Sequence, residues 1–418
     1  MFEQAAPYLY GKDSKYAGCT IIGSEENLKT FKPSSLETFY KTWYQPDMQA
    51  LIVIGDIDVE QVYNKIVKLF SDIPAPAQPT VKVMPKVEMN EQPVVGILTD
   101  PENTSTGFEV VWKLGEPMPK ELNGSIQGYS IRALENIIEG VMAERFNDIT
   151  SKPGAPFLGA GLGLYDLTET CYALTGELNC ENAKALEALK AYLIEIEKAK
   201  RFGFTDDEIG RAKEDIIKHL KNKVDGASTR KNPEFVYPIM NNFFKGYPYM
   251  TPDTELQIAQ MLYGQFNAQV INQALPQFLS GVPTIIYQGV DQPGQVHPTE
   301  SEVLAVLEQV KNADIQPNKV EAINSDFMAG IKIKPGAVKK AVTGAYGATI
   351  WTMKNGLNVV VLPTEYKKDQ VIFELTKKGG TSLVPTEDIA SFDRNIVQLF
   401  SNNSGIASYN SATVSKML

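Results

Sequence analysis

Two stretches of this chain, residues 34–71 and 265–313, run through the same order of local signals: amphipathic helix, short apolar strand, amphipathic helix. An element that is apolar along one face must be covered by another layer. A repeat of this kind therefore restricts the chain to layered α+β units and hints at duplication. In the first copy, "KPSSLETFYKTWY" opens with Pro33 and a Ser34…Glu37 capping box, and puts Leu36, Phe39, Tyr40 and Trp43 on one helical face. Pro46 ends that helix, and "ALIVIGDI" has the length and β-branched content of a buried strand. Asp58 then caps "VEQVYNKIVKLF". In the second copy "SGVPTIIYQGV" is the strand, and Thr299…Glu302 behind Pro298 is the capping box of the closing helix.

Between the copies lies a longer run of elements. The Pro-rich connector "IPAPAQPTVKVMPKVEMNEQP" marks a boundary near residue 80. "VVGILTD" and "TGFEVVWKL" read as strands, followed by an amphipathic helix over roughly 121–149. After "KPGAP", "FLGAGLGLYDL" and "CYALTGELNC" read as paired strands. Leu186, Leu189, Leu193 and Ile196 mark a further helix, and Thr205…Glu208 is the capping box of the next. Residues 314–346 read as a linker. Beyond it, "ATIWTMKNGLNVVVLP" is two strand-like runs around Asn355-Gly356, a signal for a type I′ hairpin, and a helix is expected to start near Thr386. The expected class is α+β, each domain a largely antiparallel sheet packed against helices.

Charge and cysteine usage exclude several functions. Fifty acidic against 40 basic residues give a net charge of −10, the wrong sign for nucleic acid or an anionic membrane surface. No apolar run approaches the roughly 18 residues that span a bilayer. Cys19, Cys171 and Cys180 are too few for a disulfide framework and match no thiolate metal spacing, so they read as small buried residues. The opening "MFEQAAPYLYGKDSKYAG" carries no signal peptide and reads as an entry in mid-domain.

Five collinear pieces, "YAGCTIIGSEENLKTF", "LETFYKTWYQPDMQALIVIGDID", "VMAERFNDI", "KAKRFGFTDDEIGRAKEDI" and "LNVVVLPTEYKKDQVIFELTKKGGTSL", resemble the pitrilysin/insulinase-type zinc metallopeptidases, in particular the long bacterial, Bacteroidetes-like members. The resemblance implies four homologous α+β domains around a proteolytic chamber. The first domain of such a protein carries an inverted H-x-x-E-H zinc motif and a further Glu ligand, with the motif Glu as general base on zinc-bound water. On that alignment residues 1–80 are the second half of domain one, 85–313 domain two complete and non-catalytic, 314–346 a linker, and 347–418 the first half of domain three. The zinc-bearing half-domain is then expected upstream of Met1. Zinc is implied for the full-length protein and none is expected on this chain. The implied partners are peptide substrates, together with the missing zinc-bearing segment or a separate catalytic chain, and the source is a bacterium whose relatives are often exported to the periplasm.

Tested for chemistry of its own, the chain offers little. His219 in "IIKHLKNKV" reads as a structural or surface histidine. His297 in "HPTES" supplies the first four positions of H-x-x-E-H, but Ser301 stands where the second His belongs, and Pro298 with the cap at Thr299 places His297 outside the helix. By resemblance, the counterpart of the zinc helix in the third piece is "DIASFDRNIVQLF". Its motif positions hold Ser391, Phe392, Asp393, Arg394 and Asn395, with no metal ligand at the essential ones. Glu3 sits too close to "IIGSEE" for the family's third ligand. "GAGLG" (159–163) lacks the Lys of a phosphate loop and reads as backbone crowding, with substrate contact as the alternative. "STRKNPEF" (228–235) reads as a solvated loop, with binding of peptide carboxylates as the alternative. No catalytic or metal-ligating residue is therefore assigned, and the substrate-binding residues stay unknown. A peptidase is implied by resemblance, with this chain alone expected to be inactive. A complete non-catalytic partner subunit is the alternative. The two terminal half-domains are expected to complete each other, by folding back or by exchange in a homodimer.

Overall fold

The computed structural model describes residues 2–18, 23–318, 332, 334–366 and 371–391, with isolated positions 405, 409, 411, 413 and 414. The chain divides into two units, 1–220 with 229–318, and 221–228 with 319–418.

The first unit opens with helices α1 (Phe2–Tyr10), α2 (Lys15–Gly18), α3 (Glu25–Thr30), α4 (Pro33–Trp43) and α5 (Val59–Phe70). Strands β1 (Val94–Asp100) and β2 (Thr106–Gly115) precede α6 (Lys120–Asn123) and the long α7 (Ile126–Thr150). Then come β3 (Gly159–Thr168) and β4 (Cys171–Cys180), followed by α8 (Ala185–Phe202), α9 (Asp206–Asp225), α10 (Pro233–Lys245), α11 (Pro252–Gln265) and α12 (Ala268–Phe278). Strand β5 (Pro283–Val290) and α13 (Glu300–Lys311) complete it.

The five strands form one sheet in the order β1-β5-β2-β4-β3. Only the β1–β5 pairing is parallel; β5–β2, β2–β4 and β4–β3 are antiparallel. Alternation along β2 sorts its side chains: Phe108, Val110 and Trp112 face the helices, while Val111 faces the opposite side. Against the first face lie α7, through Ile137, Ile138, Val141, Met142 and Phe146, and α8, through Leu189 and Tyr192. Burying each of these large side chains contributes about 1.5–3 kcal/mol. On the other face α1 sets Ala5 and Leu9 on Leu98, Val111, Ala173 and Ile286. Gly96 permits that docking, because a Cβ there would lie 3.1 Å from the Tyr8 ring.

A buried ionic knot ties three of the helices. Arg145 of α7 donates from Nε to Glu208 Oε1 at 2.7 Å and from Nη2 to Glu208 Oε2 at 3.1 Å and Gly203 O at 3.0 Å. Its Nη1 lies 3.6 Å from Glu195 Oε1 on α8. Burial opposes the charged form of Glu208, but the Arg145 bonds outweigh it and hold that carboxyl below its usual range. Thr205…Glu208 forms the expected capping box at the same point.

The first helix–strand–helix copy departs from expectation in two ways. Helix α4 starts one turn position early: Lys32 is the N-cap with no side-chain bond and Pro33 is at N1, so Ser34 lies inside the first turn and its capping box with Glu37 does not form. Residues 50–57, expected to be a buried strand, form none. A strand exists through its ladder, and no described residue pairs with this one. The Asp58 cap on α5 does form, accepting from Gln61 N at 3.0 Å. Neither α4 nor α5 buries a residue.

In the second unit β6 (Val338–Thr343), β7 (Thr349–Met353) and β8 (Asn358–Val361) make an antiparallel sheet. Strand β6 lies inside the stretch read as linker. All six of its residues are exposed, so it carries no apolar alternation to read. The hairpin at Asn355-Gly356 is present, but its turn is not type I′: Gly356 has φ +91° while Asn355 is not among the positive-φ residues. Gly356 N bonds Met353 O, so the turn runs through Lys354 and Asn355 with Gly356 as the left-handed residue closing it. Near Thr386 the chain forms a 3₁₀ turn, Thr386–Ser391.

Candidate functional site

The outermost strand of the five-stranded sheet is β3, built largely from "GAGLGLYDLT". An edge strand offers unpaired N–H and C=O groups to any extended chain that can reach it. A Cβ at Gly159 or Gly161 would meet nothing within 4 Å, so the sheet face beside this edge is uncrowded there. Two side chains hold the strand in place. Tyr192 of α8 donates to Gly161 O at 2.9 Å. It reaches there because β4 has Gly176 in its path, where a Cβ would lie 1.8 Å from the tyrosine oxygen. Glu139 of α7 accepts from Leu164 N at 2.6 Å. Leu164 N–H therefore points away from β4, and by the two-residue alternation of an antiparallel ladder so do the backbone groups of Leu162 and Ala160.

Beside this edge, Glu109 of β2 and Glu177 of β4 are direct cross-strand partners. With Ser105, Gly107, Asn179 and Gln288 they line a shallow cavity of about 170 Å³. Burial, and then the neighbouring Glu177 charge, push the Glu109 carboxyl above its ordinary range. Burial likewise raises Glu139, against the pull of the Leu164 N–H. At the far end of β3, Tyr172 donates to Glu135 Oε1 at 2.5 Å.

The structure sorts the residues that the sequence singled out. The 159–163 run is half-buried and lies on the outermost strand of the sheet. Arg230 of the 228–235 loop lies over Phe235, 4.4 Å from the ring centroid, and Glu234 accepts from Lys231 N. His219 is exposed on α9, with Asp215 one turn before it also exposed. His297 lies before the Thr299 cap of α13, outside the helix. Asn182 donates to Val296 O, so its Oδ1 is free to accept from Tyr287 Oη at 2.6 Å. Having donated there, Tyr287 Oη accepts from His297 Nδ1 at 3.0 Å, which fixes the imidazole tautomer. His297 thus fastens the 291–298 loop to β5. Glu3 is an exposed first-turn residue of α1. Cys171 and Cys180 are free and buried, and burial pushes the Cys180 thiol up to about 11. Cys19 and the side chains of Ser391, Phe392, Asp393, Arg394 and Asn395 lie outside the described residues.

Among the described residues no three His, Cys, Asp or Glu side chains are grouped to hold a metal ion. One imidazole is committed through Nδ1 to Tyr287 and the other stands beside a single carboxylate. This donor set does not fit the two-His, one-Glu cradle of a catalytic zinc, so no chemical step is derived through zinc here.

Sequence reasoning missed Glu139, Tyr192 and Gly176. The signal was faint: Glu135 and Glu139 stand four apart on a helix whose inner side is largely apolar, and Gly176 interrupts a strand.

Residues 30–216 match the family described as "Peptidase M16 inactive domain". Among curated proteins, the "Probable zinc protease PqqL" of Escherichia coli is 23% identical over 371 residues, 86% of this chain. These matches support a pitrilysin/insulinase-type protease. A second relative of the family, the "Zinc protease PQQL-like" of Arabidopsis thaliana, is 20% identical over 92% of this chain. This chain spans 39% and 37% of the lengths of those two proteins. The fold agrees with solved family members. The periplasmic protease PqqL from Escherichia coli superposes with a TM-score of 0.67 at 17% identity, covering 99% of this chain and 45% of that one. The ferredoxin protease FusC, solved with Arabidopsis ferredoxin, superposes at 0.63 with 19% identity and the same two coverages. Among the described residues no helix is long and apolar enough to cross a membrane.

Proposed function

We propose that this chain serves as the substrate-docking and chamber-wall part of a zinc-dependent metalloendopeptidase that degrades peptides, with the zinc site supplied by another segment or chain. The observation that carries this reading is the open β3 edge. A peptide docks there as an added strand, drawing affinity from main-chain hydrogen bonds and tolerating varied sequences. The metal-poor donor set supports a division of labour in which this part holds substrate and another part cleaves it. By analogy with the periplasmic relative, the compartment is the bacterial periplasm.

The uncovered apolar faces of α4 and α5 favour a second form of the same reading, in which the zinc-bearing partner is a separate chain and this one is its binding and assembly subunit. The half-domain 347–418 is a further candidate to cover those faces, within one chain or by exchange in a homodimer.

The test is peptide binding and hydrolysis by the purified chain. An extended, fluorescein-labelled peptide rich in Thr and Val should bind, lose affinity when alternate backbone nitrogens are methylated, and survive uncut with or without added zinc. Turnover with one tightly held zinc per chain would contradict the reading, as would binding indifferent to N-methylation.

A further inference from the structure

We infer that Glu139 is a strand stop: its carboxylate occupies the hydrogen-bond slot at Leu164 and so fixes where a docked peptide strand ends on β3. This inference rests on the docking role proposed for that edge and names the residue that sets its register.

The outward-facing backbone groups of β3 recur every second residue, at Ala160, Leu162 and Leu164. At the first two, no further strand lies beside β3 among the described residues, so the outward backbone groups have no ladder partner. The third is already taken, because Glu139 Oε1 sits 2.6 Å from Leu164 N, where the carbonyl of an incoming strand would have to go. A Cβ at Gly163 would lie 3.7 Å from the same oxygen, so the carboxylate also covers the strand face at that point. An N–H held by an anionic acceptor is held more strongly than by the neutral carbonyl that would replace it. A peptide therefore pairs along residues 159–163 and is turned away at 164. The stop also answers the hazard of a long open edge, which would otherwise template unwanted strand pairing.

The experiment compares two peptides of one repeating Thr/Val sequence, about five and about ten residues long, spanning 159–163 alone or running past 164. Glu139→Ala should leave the short peptide unchanged and tighten the long one roughly tenfold, the worth of one or two regained main-chain bonds. Glu139→Gln keeps an acceptor oxygen in the slot and should stay within about threefold of the wild-type chain for both. Amide exchange adds a readout that needs no peptide: Leu164 N–H should be protected in the wild-type chain and lose that protection in Glu139→Ala. If both peptides bind in an N-methylation-sensitive way and Glu139→Ala changes neither, or changes both equally, the stop is overturned while docking on β3 stands. If no peptide binds any of the three proteins, the docking role fails and the stop with it. A fast-exchanging Leu164 amide in the wild-type chain also overturns it.

Discussion

Residues 33–70 and 268–311 carry the same helix–strand–helix code, and the fold treats them in opposite ways. In the later copy β5 slots between β1 and β2 and pairs on both sides. Ile285, Ile286 and Tyr287 are 0% exposed, and α12 and α13 bury Ile271, Leu275 and Val303. In the earlier copy the equivalent apolar residues face solvent: Leu36 is 59% exposed, Leu51 60%, Tyr63 61% and Leu69 62%. Helical periodicity is as good in the first copy as in the second, and α5 has its Asp58 cap, although α4 lacks a side-chain cap. The difference teaches that local signals create helices, whereas strands and burial come from the complement. Where no described residue supplies the ladder and the covering layer, the apolar stripe stays bare and the strand does not form.

Substitutions should fall very differently on the two copies and on the helices beside them. Replacing Arg145 by Leu leaves Glu208 buried without its counter-charge, while Glu195 keeps Lys198, and should cost about 3–5 kcal/mol in urea unfolding of the 94–311 region. The pH dependence follows from Glu208. Its folded pKa is depressed, so its contribution is fully present above the unfolded carboxyl range and is lost as pH falls through the folded value. Wild-type stability should drop on that acid limb, and the Arg145→Leu variant should show a flatter one. Ile285→Ala in β5 should cost about 2–5 kcal/mol, whereas Val53→Ala in the matching position of the first copy should change the same transition by less than about 0.5 kcal/mol. An equal loss at both positions would mean that residues 50–57 are packed after all. The smallest contrast is between the caps: Thr299→Ala should cost about 1 kcal/mol globally, while Asp58→Ala should lower far-ultraviolet helicity slightly and leave the cooperative transition where it was.

Much of this fold was legible before the structure. β1, β2, β4 and β5 announced themselves as short β-branched runs, α7 and α8 as apolar stripes, and the caps at Thr205 and Thr299 as side-chain pairs three apart. These are local signals. Apart from the capping box misplaced at Ser34, the main misreadings were non-local. The 50–57 run satisfied every strand criterion except a partner. Strand β6 lacked alternation because neither of its faces is buried. At Asn355-Gly356 the dipeptide located the turn, but a longer loop chose a different turn type. The site was harder still. The glycines of 159–163 were visible, but that they lie on the sheet's outer edge depends on the strand order, and the roles of Glu139 and Tyr192 depend on which helix passes that edge. Nothing in the spacing of a single helix reports what it crosses.

Hydrogen exchange mapped along the whole chain tests the contrast between the two copies most directly. The account predicts that amides of 283–290 exchange orders of magnitude more slowly than their unstructured rate, while those of 50–57 exchange close to it. Comparable, strong protection in both stretches would show that the first copy has found its ladder, and would contradict the account.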